Sequence, residues 1–118
     1  MSYVFYKVLH LTGIIMIFLA LGAGFAHSKN GGERNVMRKW IMISHGIGML
    51  IAFVAGFGLM ARLGLQFSGW LWIKLVIWLI LGGVIALIYK KPKFTYPLWA
   101  SLVLLTAFAT WLANTKPF

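Results

Sequence analysis

Four long apolar runs, separated by short polar stretches, dominate the chain. They cover about residues 3–26, 40–63, 70–89 and 97–113, and the last is the shortest. A helix needs about 20 apolar residues, at about 1.5 Å each, to cross the hydrocarbon layer of a bilayer. None of the runs offers the polar face that a helix in a soluble bundle requires. The pattern therefore predicts an all-α integral membrane protein with four helices in a single transmembrane domain, residues 1–118.

The stretches between the runs are short and contain turn-forming residues. The first is about thirteen residues long and holds Asn30, Gly31 and Gly32, the second contains Gly64, and the third contains Pro92. Short connections make successive helices antiparallel. We therefore expect an up-down-up-down four-helix bundle.

The composition, 62% hydrophobic with a mean hydropathy of +0.92, agrees with this picture. We expect the first run to be a retained helix, because it is longer than the apolar part of a usual signal peptide. The chain has no cysteine, which excludes disulfides and thiolate metal sites.

The net charge of +10 brings a nucleic-acid partner into consideration, but the placement of the charges argues against one. A nucleic-acid-binding protein gathers basic side chains on a soluble face, whereas these cluster at the ends of the apolar runs. Seven lie in or beside the first and third connections: Lys29, Arg34, Arg38, Lys39, Lys90, Lys91 and Lys93. The opposite side carries four: Lys7, Arg62, Lys74 and Lys116.

This asymmetry also predicts an orientation in the membrane. Connections rich in Lys and Arg lie on the cytoplasmic side of a bilayer. We therefore expect a multi-pass protein of the inner (plasma) membrane with both termini outside and no nucleic-acid partner.

Three ionisable residues stand inside the apolar runs: His10, His45 and Lys74. Such a residue is costly in a bilayer unless it is paired, hydrated or bound to something, so it marks a candidate site. From the predicted helix starts, His10 lies about 10 Å and Lys74 about 6 Å inside the outer surface, so the two share a layer. His45 lies about 8 Å from the inner surface, roughly half a bilayer from His10.

Both histidines belong to stripes of small residues at helical spacing. The first stripe contains His10, Gly13, Ile17, Ala20, Gly24 and His27, and the second contains His45, Gly48, Ala52 and Gly56. Small residues let another helix, or a flat ligand, approach the backbone closely. The stripes are therefore compatible with a groove for a planar group and equally with close helix packing.

Each polar candidate also has a purely structural interpretation. His10 could be satisfied by a hydrogen bond to Thr106, to Thr110 or to a backbone carbonyl. His45 could equally make only a structural bond. Lys74 is close enough to the interface for its amine to reach the headgroups.

The opening segment Tyr6-Lys7-Val8-Leu9-His10-Leu11, the segment Arg38-Lys39-Trp40-Ile41-Met42 and above all Gly69-Trp70-Leu71-Trp72-Ile73-Lys74-Leu75 resemble the HemJ group of bacterial membrane proteins. The pattern is more loosely similar to the SirB-like and CopD-like four-helix proteins. The chain departs from the HemJ group by a shorter first connection, and its Ser44-His45-Gly46 looks more SirB-like.

The resemblance implies a b-type haem held between helices, with His10 and Lys74 as the functional pair. In the HemJ group the implied reaction is the oxidation of protoporphyrinogen in haem synthesis. The resemblance implies the haem more directly than it implies this oxidase activity.

Haem chemistry is consistent with the residue types. Neutral imidazole is a common axial ligand of haem iron, so His10 is the predicted first ligand and His45 a second candidate metal ligand. Lys74 would be the other ligand or a proton acceptor. Gly13 would let the porphyrin approach the backbone, and Arg38 is a candidate partner for a haem propionate.

Three functions compete on this basis. The first is a haem-binding redox protein, which transfers electrons or oxidises a porphyrin, with a redox partner or a quinone. The second is an accessory subunit of a homodimer or larger membrane complex, in which the glycines serve only helix packing. The third is a small transporter, which is weak because the only acidic residue, Glu33, lies in a connection.

Overall fold

The computed structural model describes residues 3–64 and 68–115, and within them the chain is almost entirely helical, without β-strands. The long helices are α1 (Tyr3–Lys29), α2 (Val36–Leu63), α3 (Gly69–Lys90) and α4 (Thr95–Thr115), and a short 3-10 helix, Pro92–Phe94, precedes α4. All four long helices have the length and apolar composition needed to cross a membrane. The predicted all-α membrane fold is confirmed.

The chain divides into two compact units, Met1–Gln66 and Phe67–Phe118. The first contains α1 and α2, and the second contains α3 and α4. The single transmembrane domain stays a prediction.

The connection between α1 and α2 is a short, hydrogen-bonded loop. Gly31 and Gly32 have φ angles of 104° and 61°, in the region that favours glycine. The N–H of Gly32 donates to the carbonyl of His27 at 2.8 Å. Asn35 caps α2, because its side-chain oxygen accepts from the N–H of Arg38 at 3.1 Å.

This connection is shorter than the predicted thirteen residues. α1 continues to Lys29 and α2 already begins at Val36. The apolar run ends where the bilayer interface is expected, but the backbone hydrogen bonds of a helix continue into polar sequence and end only at a cap. Hydropathy therefore predicted the membrane-spanning part of each helix but not the residue at which the helix ends.

α1 and α2 run antiparallel and are close neighbours along their length. The facing pairs show the direction: Gly58 meets the ring of Tyr6, Gly56 meets His10, and Gly48 meets residues 13–17. The predicted stripe of α1 is the buried face of that helix, since Gly13, Ile17, Ala20, Gly24 and His27 are all buried. Alternating spacings of three and four on both helices are typical of left-handed, coiled-coil-like packing.

The second unit joins its helices through Pro92. This residue begins the 3-10 helix, and its carbonyl accepts from the hydroxyl of Thr95 at 2.6 Å. α3 and α4 come close at only a few positions. The buried positions of α3 carry mainly large side chains: Trp70, Leu71, Ile77, Leu81, Val84, Ile85 and Ile88.

Candidate functional site

The backbones of α1 and α2 touch where the two small-residue stripes meet. A Cβ placed on Gly13 would lie 2.6 Å from the backbone nitrogen of Ala52, and a Cβ on Gly48 would lie 2.8 Å from the carbonyl oxygen of Gly13. Both distances are shorter than real Cβ contacts, so only glycine fits at either position. Of the two uses that the sequence left open for the stripes, close helix packing is present at this level.

His10 lies one turn before this contact, and α2 positions its ring. The Nδ1 atom of His10 is 2.8 Å from the carbonyl oxygen of Ala52. A Cβ on Gly56 would lie 3.2 Å from Cε1 and 3.3 Å from Nδ1 of the same ring. The missing side chain at Gly56 therefore makes room for the imidazole between the two helices.

The hydrogen bond to Ala52 decides which ring nitrogen of His10 carries the proton. A carbonyl oxygen can only accept, so Nδ1 must donate its hydrogen. In the neutral imidazole the lone pair then resides on Nε2. Histidines that ligate metals show this same arrangement, in which the other ring N–H donates to a carbonyl or a carboxylate and fixes the ring.

The sequence had also allowed a hydrogen bond from His10 to Thr106 or Thr110. Those threonines bond within their own helix, Thr106 to the carbonyl of Leu102 at 2.7 Å and Thr110 to the carbonyl of Thr106 at 2.9 Å. The backbone-carbonyl alternative is the one found. The bond joins two helices, and it also fixes the orientation of the ring.

Sequence reasoning missed the neighbours of His10 that shape this position. Tyr6 lies one turn earlier on α1, and its ring packs against Gly58. Two aromatic rings, four residues apart on α1, thus meet two glycines of α2. The glycines at 56 and 58 were a visible signal, but the acceptor at Ala52 is a backbone atom and leaves no trace in side-chain identity.

His45 is buried on the face of α2 that meets α1. It belongs to the buried series Ile41, His45, Gly48, Ala52 and Ala55. The facing pairs place it near residue 20 of α1, which is about 15 Å along the helix axis from His10. This separation agrees with the depth estimated from the sequence, so the two histidines lie at different levels.

Arg38 also lies away from His10. Its guanidinium donates to the carbonyl of Gly32 at 2.8 Å, at the end of the hairpin that holds the connection. Arg38 precedes Ala52 on α2 by about 21 Å of helix. It therefore belongs to the connection and not to the surroundings of His10.

Lys74 lies in the first turns of α3, in the second unit. Its Nζ atom is 6.0 Å from the centroid of the Trp70 ring, within the range of a cation–π contact. The side chain is half-buried. The pairing of Lys74 with His10 stays a prediction.

Within residues 3–64 and 68–115, no group of three or more His, Cys, Asp or Glu side chains could hold a metal ion. Haem iron needs only one or two axial ligands from the protein, because the porphyrin supplies the other four. For a haem, the relevant feature is therefore a single histidine with a fixed ring, and the ring of His10 is held by its contact with the carbonyl of Ala52.

Comparison with known proteins adds no relative: no family model, no curated protein and no solved structure matches the chain. The resemblance to the HemJ group therefore rests on the short segments around His10, Arg38 and Lys74.

Proposed function

We propose that the chain is a haem b-binding integral membrane protein in which His10 is an axial ligand of the iron. The observation that supports this most strongly is the hydrogen bond from Nδ1 of His10 to the carbonyl of Ala52 at 2.8 Å. With Nδ1 donating, the lone pair of the neutral ring is on Nε2, which is the proposed ligating atom. The bond also makes the imidazole a stronger electron-pair donor.

In the first unit, the His10 ring suits a haem ligand, whereas the contact between the helix backbones limits where a haem can lie. Donation from Nδ1 of His10 to the carbonyl of Ala52 requires the tautomer that ligation through Nε2 also requires, and it fixes the ring. At Gly13 and Gly48, however, the helix backbones touch, so no porphyrin fits between α1 and α2 at that level. In this proposal the haem contacts the first unit at the His10 ring. Gly13 packs against α2 and does not contact the porphyrin.

When bound, the haem supplies one-electron redox chemistry at its iron. In this proposal the protein transfers electrons or oxidises a porphyrinogen, with a redox partner or a quinone as the other reactant. Lys74 is the proposed second ligand or proton acceptor, and either role requires its neutral amine. His45, at a different level, is the candidate ligand of a separate site.

We further propose that the protein resides in the inner membrane with both termini outside. The support is the basic character of the first and third connections, which carry seven of the eleven Lys and Arg residues. Reporter fusions at the two termini, read for cytoplasmic or external activity, test this orientation.

The direct test of the function is an absorption spectrum. The protein is expressed in haem-replete cells, purified in mild detergent and measured before and after dithionite. We expect a Soret band and sharpened α and β bands on reduction, and His10→Ala should abolish or shift them. His27→Ala is the matched control, because it removes a histidine from the same helix near the opposite end. A colourless, fully folded wild-type protein would reject the proposal.

A second candidate is an accessory subunit of a larger membrane complex. It is favoured by the Gly13–Gly48 contact, which is a packing feature. This candidate predicts a colourless protein that co-purifies with a partner when isolated from its native membrane.

A further inference from the structure

A basic groove lies at the connection between α1 and α2. It is shallow and widely open, has a volume of about 670 Å³, and is lined by Arg34, Asn35, Val36, Arg38, Lys39 and Met42. Three of the six lining residues carry a positive charge. Glu33, the only acidic residue of the chain, is next to Arg34. The groove therefore concentrates positive charge where the connection meets the first turns of α2.

The backbone of the groove is held in place by hydrogen bonds. Asn35 caps α2, and its carbonyl accepts from the N–H of Lys39 at 3.2 Å. Arg38 donates to the carbonyl of Gly32 at 2.8 Å, which ties the first turn of α2 to the loop. The backbone from which Arg34 and Lys39 extend is therefore held in place.

The length of α2 places this groove at the membrane surface. Its 28 residues extend over about 42 Å, which exceeds the hydrocarbon thickness of about 30 Å. Trp40 is exposed near the start of α2, as interfacial tryptophans are. The groove thus lies among the lipid headgroups.

The lining of the groove is amphipathic as well as basic. Met42 lies about one turn further along α2 than Arg38, toward the hydrocarbon, and Val36 and Met42 are both exposed apolar residues. A phosphate group on the cations would therefore place an attached glycerol and acyl chain against Met42. We propose that this groove binds the headgroup of an anionic phospholipid, with the phosphate held by Arg34, Arg38 and Lys39.

The test measures lipid preference in the purified full-length protein by native mass spectrometry. Dioleoyl phosphatidylglycerol and dioleoyl phosphatidylcholine are titrated separately, so that only the headgroup differs. Each Lys or Arg near a membrane surface contributes about 1 kcal/mol toward anionic lipid, so two of them give about a 30-fold preference for the anionic lipid.

The double variant Arg34→Gln with Lys39→Gln should lose most of this preference. Arg38 is left unchanged because it holds the loop. The matched control is Lys90→Gln with Lys91→Gln, which removes the same charge at the end of α3. Arg34→Lys, which keeps the charge, should retain most of the preference.

Three results would overturn the proposal: an unchanged preference in the Arg34 and Lys39 double variant, an equal loss in the Lys90 and Lys91 control, or displacement of the lipid by millimolar inorganic phosphate. The third result would identify free phosphate as the ligand. The readout is independent of haem, so this proposal and the proposed function can fail separately.

Discussion

The two helical units of this chain differ in the size of the side chains that they bury. In the α1–α2 unit, small residues let the backbones touch, as at Gly13 and Gly48. In the α3–α4 unit, the buried positions of α3 carry Trp, Leu, Ile and Val, and its two helices come close at few places. Adding volume should therefore damage the first unit, whereas removing volume should damage the second.

This difference explains why an interhelical hydrogen bond from a histidine side chain is found in the first unit. The short distance between α1 and α2 lets the His10 ring reach a backbone carbonyl of the other helix. The hydroxyls of Ser101, Thr106 and Thr110 on α4 instead bond carbonyls one turn back in their own helix. A small-residue seam is thus what makes an oriented interhelical histidine possible.

The largest loss of stability should come from adding a side chain at the α1–α2 contact formed by Gly13 and Gly48, which we call the seam. Gly13→Leu would force the backbones of α1 and α2 apart, because even its Cβ would lie 2.6 Å from the nitrogen of Ala52. We expect a loss of about 3 kcal/mol or more in the free energy of unfolding, measured by detergent titration followed by circular dichroism. Gly22→Leu is the control on the same helix, since a Cβ there meets nothing within 4 Å. Equal losses in both variants would contradict a seam at Gly13.

The next effect should come from removing volume in the second unit. Leu112 is completely buried, with 0% of its surface exposed. Leu112→Ala should lower the free energy of unfolding by about 2–4 kcal/mol through the lost contacts and the cavity. Leu104→Ala, at a position that is 71% exposed, should change it little. If the two leucines cost the same, the packing described for α4 is wrong.

A smaller effect is expected from His10→Ala. The variant removes an interhelical hydrogen bond, which is worth about 0.6 kcal/mol on average and up to about 1.7 kcal/mol in a membrane protein. The same detergent titration measures it. Thr12→Val is the control, because the Thr12 hydroxyl bonds the carbonyl of Val8 in its own helix. A loss that matches the control would show that the His10 bond contributes nothing to helix association.

The smallest change in stability should accompany Gly56→Ala. Replacing glycine by alanine in a helix gains about 1 kcal/mol, and pushing the His10 ring by a few tenths of an ångström offsets that gain. If His10 ligates haem iron as proposed, the haem absorption bands should nevertheless shift, because the ring has moved. Gly46→Ala is the control, as a Cβ there meets nothing within 4 Å. If the bands do not shift in Gly56→Ala, the His10 ring is not a ligand of the haem.

The helices and both small-residue stripes were predictable because they depend on hydropathy and on helical spacing. The buried face of α1 is the stripe that runs from Gly13 to His27, as the spacing predicted. The turns at Gly31–Gly32, Gly64 and Pro92 were predictable from residue type alone: Gly64 ends α2 with a φ of 66°.

A backbone carbonyl was among the expected partners of His10, but the sequence could not show that it is the carbonyl of Ala52, because every residue has a carbonyl. The register between α1 and α2 selects that carbonyl, and register follows from the packing at Gly13, Gly48 and Gly56 rather than from any single residue. For the same reason the sequence left open whether these glycines line a groove or a contact. The structure shows the contact, because it gives the distances between the backbones of α1 and α2 at Gly13 and Gly48.

The central claim is that α2 holds His10 with its proton on Nδ1 and its lone pair on Nε2. The most direct test is ¹⁵N NMR of the histidine rings in protein made in haem-deficient cells, with His10→Ala used to assign the signal. The account predicts a protonated Nδ1, hydrogen-bonded to the carbonyl, and an unprotonated Nε2. A His10 ring that carries its proton on Nε2 would contradict the account.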